Sequence, residues 1–142
     1  MRQIVFDTET TGFDPERGDR IVEIGCVELY SGTPTGGDFH RYVNPERDMP
    51  EGAYAVHGLS SEFLSDKPVF ADPNIGPAFL DFIGDAAVIA HNAAFDMKFI
   101  NFELELAGLP RLENQVIDTL EIARAKYPGA QNSLDALCKR FE

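Results

Sequence analysis

The sequence predicts an α/β fold, a mixed sheet with helices on its faces, and three observations carry that expectation. Apolar or alternating runs crowd the first 43 residues, and helix-period runs follow them. Short apolar runs at 86–90 and 116–117 fall between those helices. The resulting order, β-β-β-α-β-α-β-α, mixes antiparallel neighbours with parallel ones.

Ile4-Val5-Phe6 reads as the first strand, residues 20–29 alternate into a second, and Phe39 to Val43 make a third. Turn signals at Asp14-Pro15, Gly36-Gly37 and Asn44-Pro45 separate or end them. Their connections are too short for helical crossovers, so an antiparallel meander is expected. The prolines and glycine of Asp72-Pro73-Asn74-Ile75-Gly76-Pro77 delay the next helix to about Pro77, and Ala78 to Ile83 continue it. Ala86 to Ala90 form a buried strand. Phe95, Phe99, Phe102 and Leu106 then share one helical face, stopped by Gly108 and Pro110. Val116-Ile117 is a last short strand. Asp118 or Thr119 caps a helix running to about Lys126, and Asn132 or Ser133 caps another.

With 142 residues, 44% hydrophobic and 25% charged, the chain is expected to form a single domain over 1–142 with a real core. Acidic residues number 24 against 12 basic, a net charge of −12, which argues against wrapping a long duplex by counterion release. Any nucleic acid must be gripped locally. Cys26 and Cys138 sit in apolar segments and form no CxxC pair, so they read as reduced core thiols. No apolar signal stretch precedes Asp7, and the run at 86–90 is far too short to span a bilayer. A cytoplasmic protein without a membrane partner is the expectation.

The chemistry is read from two strand ends. In Asp7-Thr8-Glu9 the two acids lie two residues apart, so on extended chain both face one side. In His91-Asn92-Ala93-Ala94-Phe95-Asp96, Asn92 is a candidate helix cap and Asp96 falls in the first turn. Each feature has an ordinary reading, solvated acids for the first and a helix-dipole acid for the second. Their conjunction is more telling, because ligands in α/β sheets collect beyond the carboxyl ends of strands. If the two strands are parallel neighbours, three carboxylates converge. Carboxylates without thiols or paired histidines suit Mg²⁺ or Mn²⁺ and not structural zinc. Two such ions serve in-line displacement at a phosphodiester.

Phe6-Asp7-Thr8-Glu9-Thr10-Thr11-Gly12 and His91-Asn92-Ala93-Ala94-Phe95-Asp96 resemble two motifs of the DEDD superfamily of 3′→5′ exonucleases. Val56-His57-Gly58-Leu59 and residues 132–138 support the likeness, which covers essentially the whole chain and is nearest to the proofreading epsilon subunits of bacterial DNA polymerase III. The resemblance implies a ribonuclease H-like fold, removal of mismatched nucleotides from DNA 3′ ends, and two Mg²⁺ or Mn²⁺ ions held by Asp7, Glu9 and Asp96 as catalytic acids. It places Thr10, His57, Asn92 and Phe95 where the family holds the terminal nucleotide. It also implies a polymerase catalytic subunit as partner, bound through a tail beyond Glu142.

One departure stands out: the family's third motif, a His followed five residues on by an Asp, is absent from these 142 residues. The expectation is therefore a domain that lacks its last helix, its general base and its fourth metal ligand. Two alternatives follow, a catalytically incomplete module that binds metal or a partner, and a free-standing DNA or RNA 3′-end trimming exonuclease. A plain Ca²⁺-binding domain ranks last, for want of an EF-hand loop. His40, between Phe39 and Arg41, is expected to be satisfied or exposed, and His91 to orient the loop around Asn92.

Overall fold

In the computed structural model, which describes residues 1–126, five strands form one sheet in the order β3-β2-β1-β4-β5. β1 (Arg2–Thr10), β2 (Ile21–Tyr30) and β3 (Thr33–Tyr42) make the expected antiparallel meander. β4 (Ala87–Ala90) pairs parallel with β1, and β5 (Val116–Asp118) pairs parallel with β4. The sheet is mixed, as its element order requires, and the carboxyl ends of β1 and β4 lie side by side.

The helices are α1 (Glu51–His57), α2 (Ser61–Leu64), α3 (Gly76–Ile83), α4 (Ala93–Leu106) and α5 (Thr119–Lys126). α3 begins where the proline-glycine segment allows. α1 and α2 escape the sequence reading because neither carries a helical apolar stripe: α1 buries no residue and α2 buries only Leu64. α2 is specified by its cap instead, with the Ser60 hydroxyl accepting from the Phe63 amide at 3.0 Å.

Two expectations need correction. The hairpin between β2 and β3 turns at Ser31-Gly32 and not at Gly36-Gly37. A two-residue hairpin turn of type I′ has positive φ at both positions, which Ser31 (49°) and Gly32 (83°) supply. β3 therefore begins at Thr33, and Gly36-Gly37 lies inside it, where its register with β2 slips between Val27 and Leu29. The second correction concerns α4. Its buried positions include Asp96, Phe99, Ile100, Glu103 and Leu104, while Leu106 is 58% exposed. The inward face is thus rotated from the one that aromatic spacing indicates, because two of its members are carboxylic acids.

The core lies between one face of the sheet and the helices α3 and α4. Ile4 and Phe6 of β1, Ile24 and Cys26 of β2 and Val88 of β4 meet Phe79, Ile83, Phe99, Ile100 and Leu104. The Phe79 ring stands 5.6 Å from Phe6 and 6.1 Å from Phe39. Burial pushes the Cys26 thiol up to about 12, consistent with an inert core cysteine. Cys138, the caps at Asn132 or Ser133 and the supporting stretch 132–138 lie outside the described residues. Among the described residues no helix is long and apolar enough to cross a membrane.

Candidate active site

β1 alternates cleanly at its carboxyl end: Phe6, Thr8 and Thr10 are buried while Asp7 and Glu9 point to the other side. Across β2, Asp7 is opposite Gly25 and Glu9 is opposite Glu23, and the register shifts between Glu9 and Thr10. β4 delivers the chain through His91 and Asn92 into α4, so Asp96 arrives beside the β1 end from a neighbouring parallel strand.

The turn that makes this delivery is held by an acid from β5. Asn92 occupies the cap position with left-handed backbone (φ 61°, ψ 57°), and its side chain makes no capping bond, contrary to expectation. The Asp118 carboxylate caps α4 in its place, accepting from the Asn92 amide at 3.0 Å and the Ala93 amide at 3.1 Å. It also accepts from the Leu120 amide at 2.9 Å, so one carboxylate serves the first turns of α4 and α5. Read from sequence, Asp118 is a cap for α5 alone. The double role appears only once β5 lies beside β4. His91 supports the same turn, its Nδ1 standing 2.9 Å from Thr119 Oγ1.

Asp96 is 4% exposed, and the Thr8 hydroxyl donates to its Oδ1 at 2.5 Å. Burial pushes its carboxyl up to about 7; the Thr8 hydrogen bond pulls back, and the charges of Asp7 and Glu9 push further up. Asp7 is raised too, chiefly because surrounding chain takes water from a carboxyl that still reaches the surface, and Glu23 adds to this. Glu9 is raised by burial, then by Asp7 and Glu23. The three acids expected to converge thus sit in one mutually repulsive field. Thr8 and Glu23 are additions that motif reading missed. Thr8 is the middle residue of Asp-x-Glu, and only strand alternation marks it as the inward one. Glu23 becomes relevant through register, and His40 answers it, with Nε2 2.5 Å from Glu23 Oε2. His40 is therefore the satisfied histidine expected.

Among the described residues no three His, Cys, Asp or Glu side chains are arranged to hold an ion as they stand. The donor chemistry nonetheless fits a hard divalent cation. All three acids offer oxygen, burial and like-charge neighbours raise them, and Thr8 meets the buried Asp96 side chain with neutral groups, its hydroxyl and its backbone. Asp7, Glu9 and Asp96 are the residues that would hold it.

A cleft of about 640 Å³ opens beside Glu9, walled by Thr10, Gly12, Phe13, Pro50, Ala53, Val56, His57 and Phe95. Three of the four expected nucleotide contacts, Thr10, His57 and Phe95, meet there; Asn92 does not line it. Thr10 turns its hydroxyl to the Gly12 carbonyl at 2.6 Å, shaping the loop that follows. His57 has both ring nitrogens engaged. The Leu59 amide can only donate, so Nδ1 accepts from it at 3.0 Å, and Nε2 donates to the Thr10 carbonyl at 3.1 Å. His57 therefore ties the end of α1 to the end of β1 and presents its ring, not a spare nitrogen, to the cleft.

The exonuclease family model matches residues 4–142 of the sequence. The chain belongs to the exonuclease family. Within it, a DNA polymerase III subunit epsilon from Rickettsia felis is 54% identical over 146 residues, an alignment that takes in the whole of this chain and 63% of that protein. The chain thus spans under two thirds of the length of such curated relatives. Among solved structures, Exonuclease X in complex with 5′ overhanging duplex DNA is 28% identical with a TM-score of 0.75, over 97% of this chain and 72% of that one. Escherichia coli Exonuclease I, solved with an oligonucleotide, superposes with a TM-score of 0.85 over 97% of this chain and 35% of its own. At 18% identity that likeness speaks for the fold alone. The expected mixed α/β architecture is the architecture of these exonucleases.

Proposed function

We propose that this exonuclease domain is the editing part of a DNA polymerase III epsilon subunit, removing mismatched nucleotides one at a time from DNA 3′ ends with two Mg²⁺ or Mn²⁺ ions. The observation that carries this reading is the meeting of Asp7, Glu9 and buried Asp96 in one repulsive field, beside the cleft that Thr10, His57 and Phe95 line. The 54% identity to a DNA polymerase III subunit supports a polymerase partner and a cytoplasmic setting.

When bound, the divalent ions would supply an activated water and offset charge on the leaving oxygen. The chain's own residues do the rest. Thr8 orients Asp96 through its hydroxyl, and Asp118 fixes the first turn of α4 so that Asp96 stays inside the site. The apolar walls of the cleft, Val56, Phe95 and Pro50, exclude water around the terminal nucleotide, while His57 holds α1 against β1. A frayed 3′ end costs less to unpair and enter such a cleft than a matched one, and that difference is the physical root of editing.

The test uses the full-length protein with a 5′-labelled single strand, in Mn²⁺ and in EDTA. The expected result is stepwise shortening from the 3′ end with release of deoxynucleoside monophosphates, lost in EDTA and in Asp7→Ala. Shortening from the 5′ end, or cleavage that survives both EDTA and Asp7→Ala, overturns the reading.

A further inference from the structure

A chain of net charge −12 that takes a nucleic acid strand must concentrate its few cations where the strand runs. Around the cleft, two arginines are committed elsewhere. Arg20 reaches Glu103 at 2.7 Å, and Arg47 bonds Asp19 at 3.2 Å together with the Gly18 and Asp48 carbonyls. Arg17 and Lys98 are held differently. The Arg17 side chain, 87% exposed, lines the cleft with Nε 3.7 Å from Asp14 Oδ2, and Lys98 Nζ stands 3.6 Å from Asp14 Oδ1.

Both separations exceed a hydrogen bond. The two cations share a single carboxylate, which is already occupied in accepting from the Glu16 amide at 3.0 Å. Asp14 thus answers two cations with one carboxylate, so neither is neutralised by a partner of its own, although Glu9 and Asp19 also line the cleft. The position also suits a strand. Lys98 lies one turn beyond Phe95 on α4, on the same side of the helix, and Phe95 lines the cleft. Phe13, 89% exposed, precedes Asp14 at the cleft mouth. Cations beside an exposed aromatic ring are the pairing that single-strand binders use.

We propose that Arg17 and Lys98 form a phosphate rail that takes the backbone of single-stranded DNA on the 5′ side of the nucleotide in the cleft. The inference rests on reading the cleft as the 3′-end site. Loose, exposed ion pairs to Asp14 yield readily to phosphodiester oxygens. Asp14 meanwhile keeps both side chains at the rim when no strand is bound.

The test is equilibrium binding of a labelled short oligothymidylate to the full-length protein, in Ca²⁺ and in an Asp7→Ala background that prevents cutting, across a salt titration. Adding Arg17→Ala and Lys98→Ala should weaken binding about tenfold at moderate salt and lower the log–log salt slope by about 1.4, two contacts at roughly 0.7 each. Lys67→Ala with Arg111→Ala removes the same charge away from the rim and should leave the slope unchanged. Competition by thymidine monophosphate, which has no strand on its 5′ side, should weaken far less. An unchanged slope in the rim variant, an equal fall in the control, or no binding by the Asp7→Ala parent overturns the rail. If wild type shortens the strand while the rim variant keeps its slope, the rail fails alone. If the slope falls but wild type never shortens DNA, the exonuclease reading fails and the rail stands.

Discussion

Two buried acids on one helix show how a scaffold differs from a site. Asp96 and Glu103 lie about two turns apart on α4, both on its inward face and both almost without solvent. Burial raises the pKa of each. Glu103 is then answered within the protein, by the Arg20 guanidinium at 2.7 Å and the Ile21 amide at 3.4 Å, and so ties α4 to the start of β2. Asp96 receives only neutral groups, the hydroxyl and backbone of Thr8, and faces two more acids. The first acid is complete within the fold. The second has no cation within the protein to meet its charge when it ionises, and that asymmetry is what makes it the candidate site residue.

The largest expected effect removes the unanswered charge. In the full-length protein, Asp96→Asn should lower 3′-end hydrolysis by about 10⁴-fold, some 5.5 kcal/mol of transition-state stabilisation, with the fold retained by circular dichroism. Thr8→Val should cost about 10- to 100-fold by freeing the carboxylate it orients. Wild-type rates in Asp96→Asn would place the chemistry elsewhere.

The answered acid should behave in the opposite sense. Arg20→Met leaves Glu103 buried without its cation and should cost about 3–5 kcal/mol in urea unfolding, while replacing both residues by Met should recover most of the loss. A double variant no better than the single one would mean that Glu103 owes its place to something other than Arg20.

Stability against pH separates the pair again. Burial pushes the Asp96 carboxyl up to about 7 in the folded chain, against about 3.9 for a free aspartate, so between those values the folded state keeps a proton that the unfolded state has released. Asp96 therefore contributes most to stability below about pH 4; in EDTA that contribution falls as pH rises toward 7 and then levels off, a total of roughly 4 kcal/mol. Asp96→Asn should remove that fall and be more stable than wild type at neutral pH. Parallel stability curves for the two proteins would refute the titration.

These contrasts also explain what could be read in advance. The antiparallel meander, the α/β class and the candidate acids follow from local patterns, because Asp7 and Glu9 sit on alternating chain and Asp96 sits in a first turn. The buried face of α4 follows only in part, because hydrophobic spacing selects Phe95, Phe99, Phe102 and Leu106, of which Phe99 is buried, and cannot register carboxylates that point inward. Long-range partners are equally silent in a single sequence. Glu103 meets Arg20 across more than eighty residues, and Asp118 caps α4 only because β5 lies beside β4. The hairpin at Ser31-Gly32 was masked by the stronger glycine signal at Gly36-Gly37, which the fold spends on a bulge.

His57 gives the smallest effect and decides to which side of the contrast a polar cleft residue belongs. With Nδ1 accepting from Leu59 and Nε2 donating to Thr10, it is answered within the protein, as Glu103 is. α1 buries no residue, and this tie joins its last residue to the end of β1. His57→Gln should therefore cost about 1 kcal/mol of stability for the lost hydrogen bonding. In steady-state cleavage of single-stranded DNA it should raise KM roughly fivefold, about 1 kcal/mol, and move kcat less, because a loosened α1 weakens the hold on the nucleotide before it disturbs the acids. A collapse of kcat at unchanged KM would give the imidazole a direct part in proton transfer. His57 would then stand with Asp96, as a group whose partner arrives only with the substrate.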